Sequence, residues 1–251
     1  MNIIITMAGC GKRFKQAGYI QPKYMIVANG YSLFEWAMIS LAGFNGKNIK
    51  YIFIVKKQDN ALNFIGNKCN KLGIDDFFIK EIDFVTDGQA ETAVLAKDLC
   101  DMEKPVLIYN IDTFVIPYSL KISDIKGAGF IPCSFMQGEN WSFVKTGKNN
   151  KAVEVSEKKR ISDNCSIGLY CFSSYKLFCN LYKEFYLSKT DNSVNEKYIA
   201  PMYNLLIEKN MDVYISNIKM ENVFVLGTPE ELEIFKKQKI QWMGKNEKRY
   251  V

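Results

Sequence analysis

Short apolar runs and helix-like segments take turns along the first 115 residues, and this alternation constrains the fold more than any other feature of the chain. Ile3–Thr6, Tyr51–Val55, Phe77–Phe84 and Val106–Ile111 read as strands. Ser32–Leu41, Gln58–Leu72 and Glu91–Leu99 read as the helices between them. Strands this apolar belong to a parallel sheet covered by helices on both faces. Ser32 with Glu35 three residues on is a capping-box pattern at the first helix. Ligands of such sheets bind beyond the carboxyl ends of the strands, so the segments leaving those ends are where chemistry is expected.

The first such segment is Met7-Ala8-Gly9-Cys10-Gly11-Lys12-Arg13-Phe14. Two glycines permit positive φ and close backbone approach, and exposed N–H groups can form an anion nest. Lys12 adds a point charge and Arg13 a planar fork suited to phosphate oxygens. Pro22-Lys23 follows shortly and can return a further cation to the same place. A P-loop is excluded, because Lys12 is followed by Arg13 and the glycine spacing is too short. A dinucleotide fingerprint is excluded by Phe14 at its third glycine position. The alternative for this loop is a tight turn carrying a solvated basic pair.

Composition removes whole classes of chemistry. The 251 residues contain no histidine, which excludes Ser-His and Cys-His hydrolases and any histidine general base. Seven scattered cysteines, never in Cys-x-x-Cys spacing, read as reduced thiols in a cytoplasmic protein, not as a zinc site or a disulfide framework. The net charge of +6 fits an anionic small substrate. It is spread along the chain without a stripe, so nucleic acid is not expected as a partner. The densest cluster, Lys158-Lys159-Arg160, is short, and Lys245 to Arg249 reads as a solvated tail. No apolar stretch approaches the ~18 residues of a membrane span, and no basic region precedes the first apolar run, so neither a membrane nor a secretion signal is expected.

After about residue 115 strand-like pieces dominate: Gly129–Met136, Trp141–Val144, Ala152–Val155 and Ser166–Phe172. Helical segments Tyr175–Leu187 and Asn195–Glu208 follow. Val213–Ser216 and Val223–Leu226 read as strands, and Thr228-Pro229-Glu230-Glu231 opens a last helix with proline in its first turn. No repeat or linker is visible, so one domain over 1–251 is expected.

Three further segments can carry chemistry. Asp112 follows the strand that ends at Asn110, on the same sheet edge as the glycine loop. A carboxylate there suits magnesium, which takes oxygen donors together with substrate phosphates; capping a turn is the alternative. Thr86-Asp87-Gly88-Gln89-Ala90-Glu91-Thr92 leaves another strand end. Gln89 can donate and accept toward a pyrimidine edge, and a polar helix cap is an equal reading. Glu157-Lys158-Lys159 can hold an acceptor's polar groups and phosphate, or be a solvated charge run. Lys145 can join them, or be a strand-end lysine.

Taken in order, these pieces, with Gly168 and Leu226-Gly227-Thr228-Pro229-Glu230, resemble the sugar-nucleotide-type nucleotidyltransferases over nearly the whole chain. The resemblance implies an α/β, Rossmann-like (glycosyltransferase-A-like) three-layer fold with a mixed, mostly parallel sheet. It implies a nucleotide-binding half (1–115) and an acceptor-binding half (116–251). The implied reaction moves a nucleoside monophosphate from an NTP to a phosphorylated acceptor, with Mg2+ as cofactor and release of pyrophosphate. Lys12, Arg13 and Lys23 would act on the reacting phosphates. Ala8, Gly9, Cys10, Gly11, Gly88, Gln89 and Asn110 would bind the nucleotide. Lys145, Glu157 and Lys158 would hold the acceptor, and Asp112 the metal. The chain departs from the family in its shortened glycine loop and in Val225, which stands where many members carry a second metal-binding Asp; Glu221 and Asn222 are candidates to substitute, and the second ligand stays open. Small cytidylyltransferases of surface-polysaccharide (capsule) modification are the nearest type, with CTP as donor and phosphoglutamine as first acceptor. Phosphocholine and sugar 1-phosphates are the alternatives; an aromatic cage for choline would draw on Trp141, Phe143, Tyr170 and Tyr175. A glycosyltransferase of the same fold and a non-catalytic nucleotide-binding regulator are the rival classes.

Overall fold

The structure, a computed structural model, describes residues 1–44, 46, 48–188, 196–238 and 240. The chain opens with β1 (Asn2–Thr6), a short helix α1 (Lys12–Gln16), a hairpin of β2 (Val27–Ala28) and β3 (Tyr31–Ser32), and helix α2 (Leu33–Ser40). Then come β4 (Lys50–Lys56), α3 (Leu62–Leu72), β5 (Phe77–Ile82), α4 (Gln89–Val94) and β6 (Val106–Asn110). The second half holds β7 (Thr113–Val115), β8 (Gly129–Ser134), β9 (Ser142–Thr146), β10 (Ala152–Glu157), β11 (Cys165–Ser166) and β12 (Leu169–Phe172). Helices α5 (Tyr175–Tyr182) and α6 (Tyr203–Glu208), strands β13 (Val213–Asn217) and β14 (Val223–Val225), and helix α7 (Pro229–Lys237) complete it.

Ten strands form one sheet in the order β10-β9-β11-β8-β12-β6-β1-β4-β5, with β13 added beside β8. All but β10, β11 and β12 run in the direction of β1, so the sheet is mixed and mostly parallel. Strand alternation divides the core in two. Ile3, Ile5, Phe53, Val55, Leu107 and Tyr109 pack under α2 and α3. Their neighbours Ile4, Ile52, Ile54, Val106 and Ile108 pack under α4, α5 and α6. Each such fully buried side chain contributes about 1.5–3 kcal/mol, which makes β1, apolar on both faces, the centre of the fold.

A third cluster explains a residue that looked out of place. Phe14 is buried with Ile26, Leu33, Trp36, Phe114, Leu226 and Phe235, and meets Tyr19 edge-on at 5.3 Å. It is the anchor that holds α1 against α2, α7 and β7. Lys12 and Arg13, expected in a loop, therefore form the first turn of a helix whose N-cap, Gly11, takes φ 61°.

The capping box expected at Ser32–Glu35 is present; a second, which the sequence reading did not name, joins Thr228 and Glu231, with Pro229 at the helix start as expected. The run Ser166–Phe172 is broken at Gly168 into β11 and β12. Tyr175–Leu187 is helical throughout, its last five residues forming a π turn. The start of the expected Asn195–Glu208 helix and the Lys245 to Arg249 tail lie outside the described residues; regular helix begins at Ala200 with a 3-10 turn. All seven cysteines are free, and among the described residues no helix is long and apolar enough to cross a membrane.

Candidate active site

Strands β1 and β6 are paired in parallel, Thr6 opposite Asn110, so the Met7–Lys12 segment and Ile111-Asp112 leave the sheet at the same edge. They form one wall of a cleft of about 1670 Å³. Lys12, Arg13, Lys15, Lys23 and Lys56 line the cleft on this side, with Gly9, Cys10, Gly11, Gly88, Gln89, Asn110 and Asp112. A Cβ at Gly9 or Gly11 would meet nothing within 4 Å; the space before this loop is open to a ligand.

Lys23 follows Pro22 in a single 3-10 turn. Its Nζ lies 2.7 Å from Asp112 Oδ2, both side chains about a quarter exposed (22% and 25%). Asp112 is held from a second direction by the β7–β14 pairing. Val225 stands opposite Thr113, the Leu226 N–H donates to the Asp112 carbonyl at 2.8 Å, and Gly227 follows. A Cβ on Gly227 would stand 3.2 Å from Asp112 Oδ2 and 3.4 Å from Glu231 Oε2. Two carboxylates thus face one small space. Burial, with the Asp112 charge adding to it, raises the Glu231 carboxyl above its ordinary range.

Sequence reasoning did not place Glu231 beside Asp112. The expected substitutes lie elsewhere. Glu221 pairs with Lys219 at 3.7 Å, the Asn222 amide donates to Ser119 Oγ at 3.2 Å, and neither lines the cleft. The reason is register: β14 runs antiparallel to β7, so its Val225 end reaches Asp112 while the Asn222 end lies beyond Val115. The signal for Glu231 was its capping-box position, which returns its carboxylate to Thr228 N at 2.8 Å.

Asn110 is positioned by a glycine. Gly168 has φ +80°, and a Cβ there would stand 2.5 Å from Asn110 Cγ and closer still to Nδ2. The Asn110 N–H donates to the Gly168 carbonyl at 3.1 Å. Asn110 Oδ1 is buried without a hydrogen-bond partner among the described residues. Gln89, the first residue of α4, donates from Nε2 to Thr6 Oγ1 at 3.3 Å.

The opposite wall of the cleft carries the second group of expected residues. Glu157 bonds Ser142 Oγ, which lies 3.2 Å from the Tyr170 hydroxyl. Burial raises the Glu157 carboxyl, and the Glu196 charge works in the same direction against the Ser142 bond and Lys158. Burial, with the charge of Glu157 beside it, pushes the Tyr170 hydroxyl up to about 12. Lys158, at φ 55°, reaches the Tyr198 hydroxyl and lies 3.8 Å from Glu196. Trp141 and Tyr198 complete this wall.

Three expected residues fall outside. Lys145 is exposed and does not line the cleft: it lies three residues along β9 from Ser142, about 10 Å away and on the opposite strand face. Phe143 is buried beneath the Arg160 guanidinium at 4.8 Å. Tyr175 is buried and donates its hydroxyl to the Ala93 and Val94 carbonyls. Trp141 and Tyr170 alone of the four candidate cage aromatics face the cleft.

No protein-family model matches the chain, and no curated protein does. Solved structures do. The nucleoside-diphosphate-sugar pyrophosphorylase from Vibrio cholerae RC9 is 35% identical, with a TM-score of 0.86 over 95% of this chain and 100% of that one. The inositol-1-phosphate CTP transferase from T. maritima (18% identical, TM-score 0.72, 94% and 93% covered) shares the fold. So does the CTP:phosphocholine cytidylyltransferase from Streptococcus pneumoniae (15% identical, TM-score 0.72, 94% and 97% covered). Given a match of that identity over the whole of the Vibrio cholerae protein, the chain belongs to the nucleoside-diphosphate-sugar pyrophosphorylase family of nucleotidyltransferases.

Proposed function

We propose that this nucleotidyltransferase moves CMP from CTP to the phosphate of a small acceptor, releasing pyrophosphate. The observation that carries the reading is one cleft with two unlike walls. One is cationic and glycine-rich, at the ends of β1 and β6. The other sets Glu157 and Glu196 against Lys158, among Trp141, Tyr170 and Tyr198.

The absence of histidine fits this chemistry. A phosphate acceptor has its second pKa at about 6 and is mostly dianionic at neutral pH, so no general base is needed. An acceptor phosphate oxygen forms a bond to the α-phosphorus of CTP. The bond from that phosphorus to the bridging oxygen breaks, and pyrophosphate leaves with the electron pair. Catalysis then reduces to in-line positioning and charge neutralisation. Lys12 and Arg13 hold the triphosphate at the start of α1, and Lys23 neutralises charge at the reacting phosphates. Ala8, Gly9, Cys10 and Gly11 supply backbone contacts. Gln89 reads the pyrimidine edge, and Asn110 offers its unpartnered oxygen to the nucleotide.

Magnesium fits the donors present. Asp112 and Glu231 are hard oxygen ligands facing one space, and substrate phosphates complete the usual shell. When bound there, magnesium supplies charge neutralisation at the phosphates. Val225 cannot contribute, so Glu231 takes the place of the absent second aspartate.

For the acceptor we favour phosphoglutamine, which would make the chain a cytoplasmic CTP:phosphoglutamine cytidylyltransferase of capsule modification. Glu157, bonded to Ser142 Oγ on the cleft wall, complements an ammonium; Lys158, beside Glu196, complements a carboxylate. Phosphocholine shares the ammonium and would use Trp141, Tyr170 and Tyr198. Sugar 1-phosphates would use Glu157 and Ser142 as hydroxyl partners. Mass spectrometry of the products decides: a CMP-acceptor conjugate with pyrophosphate supports the reading. A nucleoside diphosphate instead would mean a glycosyltransferase, and binding of nucleotide without turnover would mean a regulator.

A further inference from the structure

The segment Glu196–Tyr198 touches both walls of the cleft. On the nucleotide side it is tied to the Thr86–Thr92 loop. The Lys197 N–H donates to the Asp87 carbonyl at 2.6 Å, and the Ala90 N–H donates to the Lys197 carbonyl at 3.0 Å. Lys197 Nζ lies 2.9 Å from Asp87 Oδ2 and 3.3 Å from Glu91 Oε1. The bond to Asp87, opposed by burial, raises the Lys197 ammonium pKa. Gly88, at φ +148°, is glycine because of this segment: a Cβ there would stand 2.6 Å from the Lys197 carbonyl oxygen and 2.7 Å from its nitrogen. On the acceptor side, the residues flanking Lys197 meet Lys158. Its ammonium lies 4.6 Å over the Tyr198 ring and 3.8 Å from Glu196.

We propose that Lys197 is a positioning residue that couples the two substrate sites, so that a nucleotide seated on Gly88 and Gln89 fixes Tyr198 and Glu196 and raises affinity for the acceptor. This rests on the reading of the two walls given above. Lys197 is tied to the base-side loop by two main-chain hydrogen bonds and by its ammonium on Asp87 and Glu91, and its neighbours Glu196 and Tyr198 meet Lys158 on the acceptor side, so ordering one orders the other. Linkage makes the effect reciprocal.

Hydrogen–deuterium exchange of the full chain, with a single nucleotide added and no acceptor, tests this without knowing the acceptor. CTP is expected to slow exchange in peptides covering 7–23 and 86–92. It is also expected to slow exchange in peptides covering 196–203 and 156–160 by about five-fold or more, the lower end of usual coupling. Lys197→Met should keep the first pair of effects and lose the second, and Lys197→Arg should keep both. The arginine variant also separates loss of coupling from loss of fold. Protection at 7–23 with 196–203 and 156–160 unchanged overturns the coupling alone. No protection at 7–23 by CTP, UTP, GTP, ATP or dTTP overturns the nucleotide reading and the coupling with it.

Discussion

A methyl group on Gly168 has no space to occupy. In Gly168→Ala the new Cβ would stand 2.5 Å from Asn110 Cγ and 2.8 Å from its Oδ1, on a backbone at φ +80°. Two costs follow. The left-handed backbone costs a non-glycine residue about 1–2 kcal/mol. Displacing a packed neighbour costs about 1–3 kcal/mol. Together they predict a loss of about 3 kcal/mol, which for a chain of this size lowers the melting temperature by ~6–12 °C. The two costs can be separated. Asn110→Ala removes the side chain that collides and leaves the backbone strain, so Asn110→Ala/Gly168→Ala should recover the collision and keep the strain. Urea denaturation of the parent, both single variants and the double variant gives the coupling energy, expected at about 1–3 kcal/mol. A Gly168→Ala loss below about 1 kcal/mol, or strict additivity with Asn110→Ala, refutes the argument that this glycine exists to seat Asn110.

Other variants probe the site from different directions. Lys23→Ala should lower kcat by about 10²–10³, as measured by pyrophosphate release. Its partly exposed ion pair with Asp112 should cost under about 1 kcal/mol of stability, so an unfolded variant or unchanged turnover contradicts the role given to it. Glu157→Gln tests the raised carboxyl. A raised acid binds its proton more readily folded than unfolded, so stability falls as pH rises through that window. The variant should therefore gain stability over the parent at about pH 7, and the gain should vanish at about pH 4; a gain that persists there contradicts the burial argument. Thr228→Ala breaks the capping box with Glu231 and should cost about 1 kcal/mol in denaturant unfolding.

The parts legible in the sequence were those set by local pattern. The apolar runs marked the strands, and Ser32–Glu35 and Thr228-Pro229 marked helix starts. The glycine loop and Asp112 were found because both leave parallel strands at one edge. What stayed hidden depended on register or on distant contacts. Lys145 is excluded by strand alternation, which sends it to the face opposite Ser142. Glu221 and Asn222 are excluded by the antiparallel register of β14. Glu231 stood in the sequence only as part of the run that opens the last helix, and it is also part of the cleft wall. Gly88, expected at the nucleotide, also makes room for the backbone of Lys197, more than a hundred residues away. Phe14, a departure from a glycine motif, is explained only by the third apolar cluster. No local period announces such long-range packing.

The central claim is the transfer of CMP to a phosphorylated acceptor, and pyrophosphate release tests it most directly. The assay pairs CTP, UTP, GTP, ATP and dTTP, with magnesium, against phosphoglutamine, phosphocholine and a pool of sugar 1-phosphates. The account predicts release with CTP and phosphoglutamine, and its loss in Lys23→Ala. Silence across the whole panel, with CTP still protecting residues 7–23 from exchange, would contradict it.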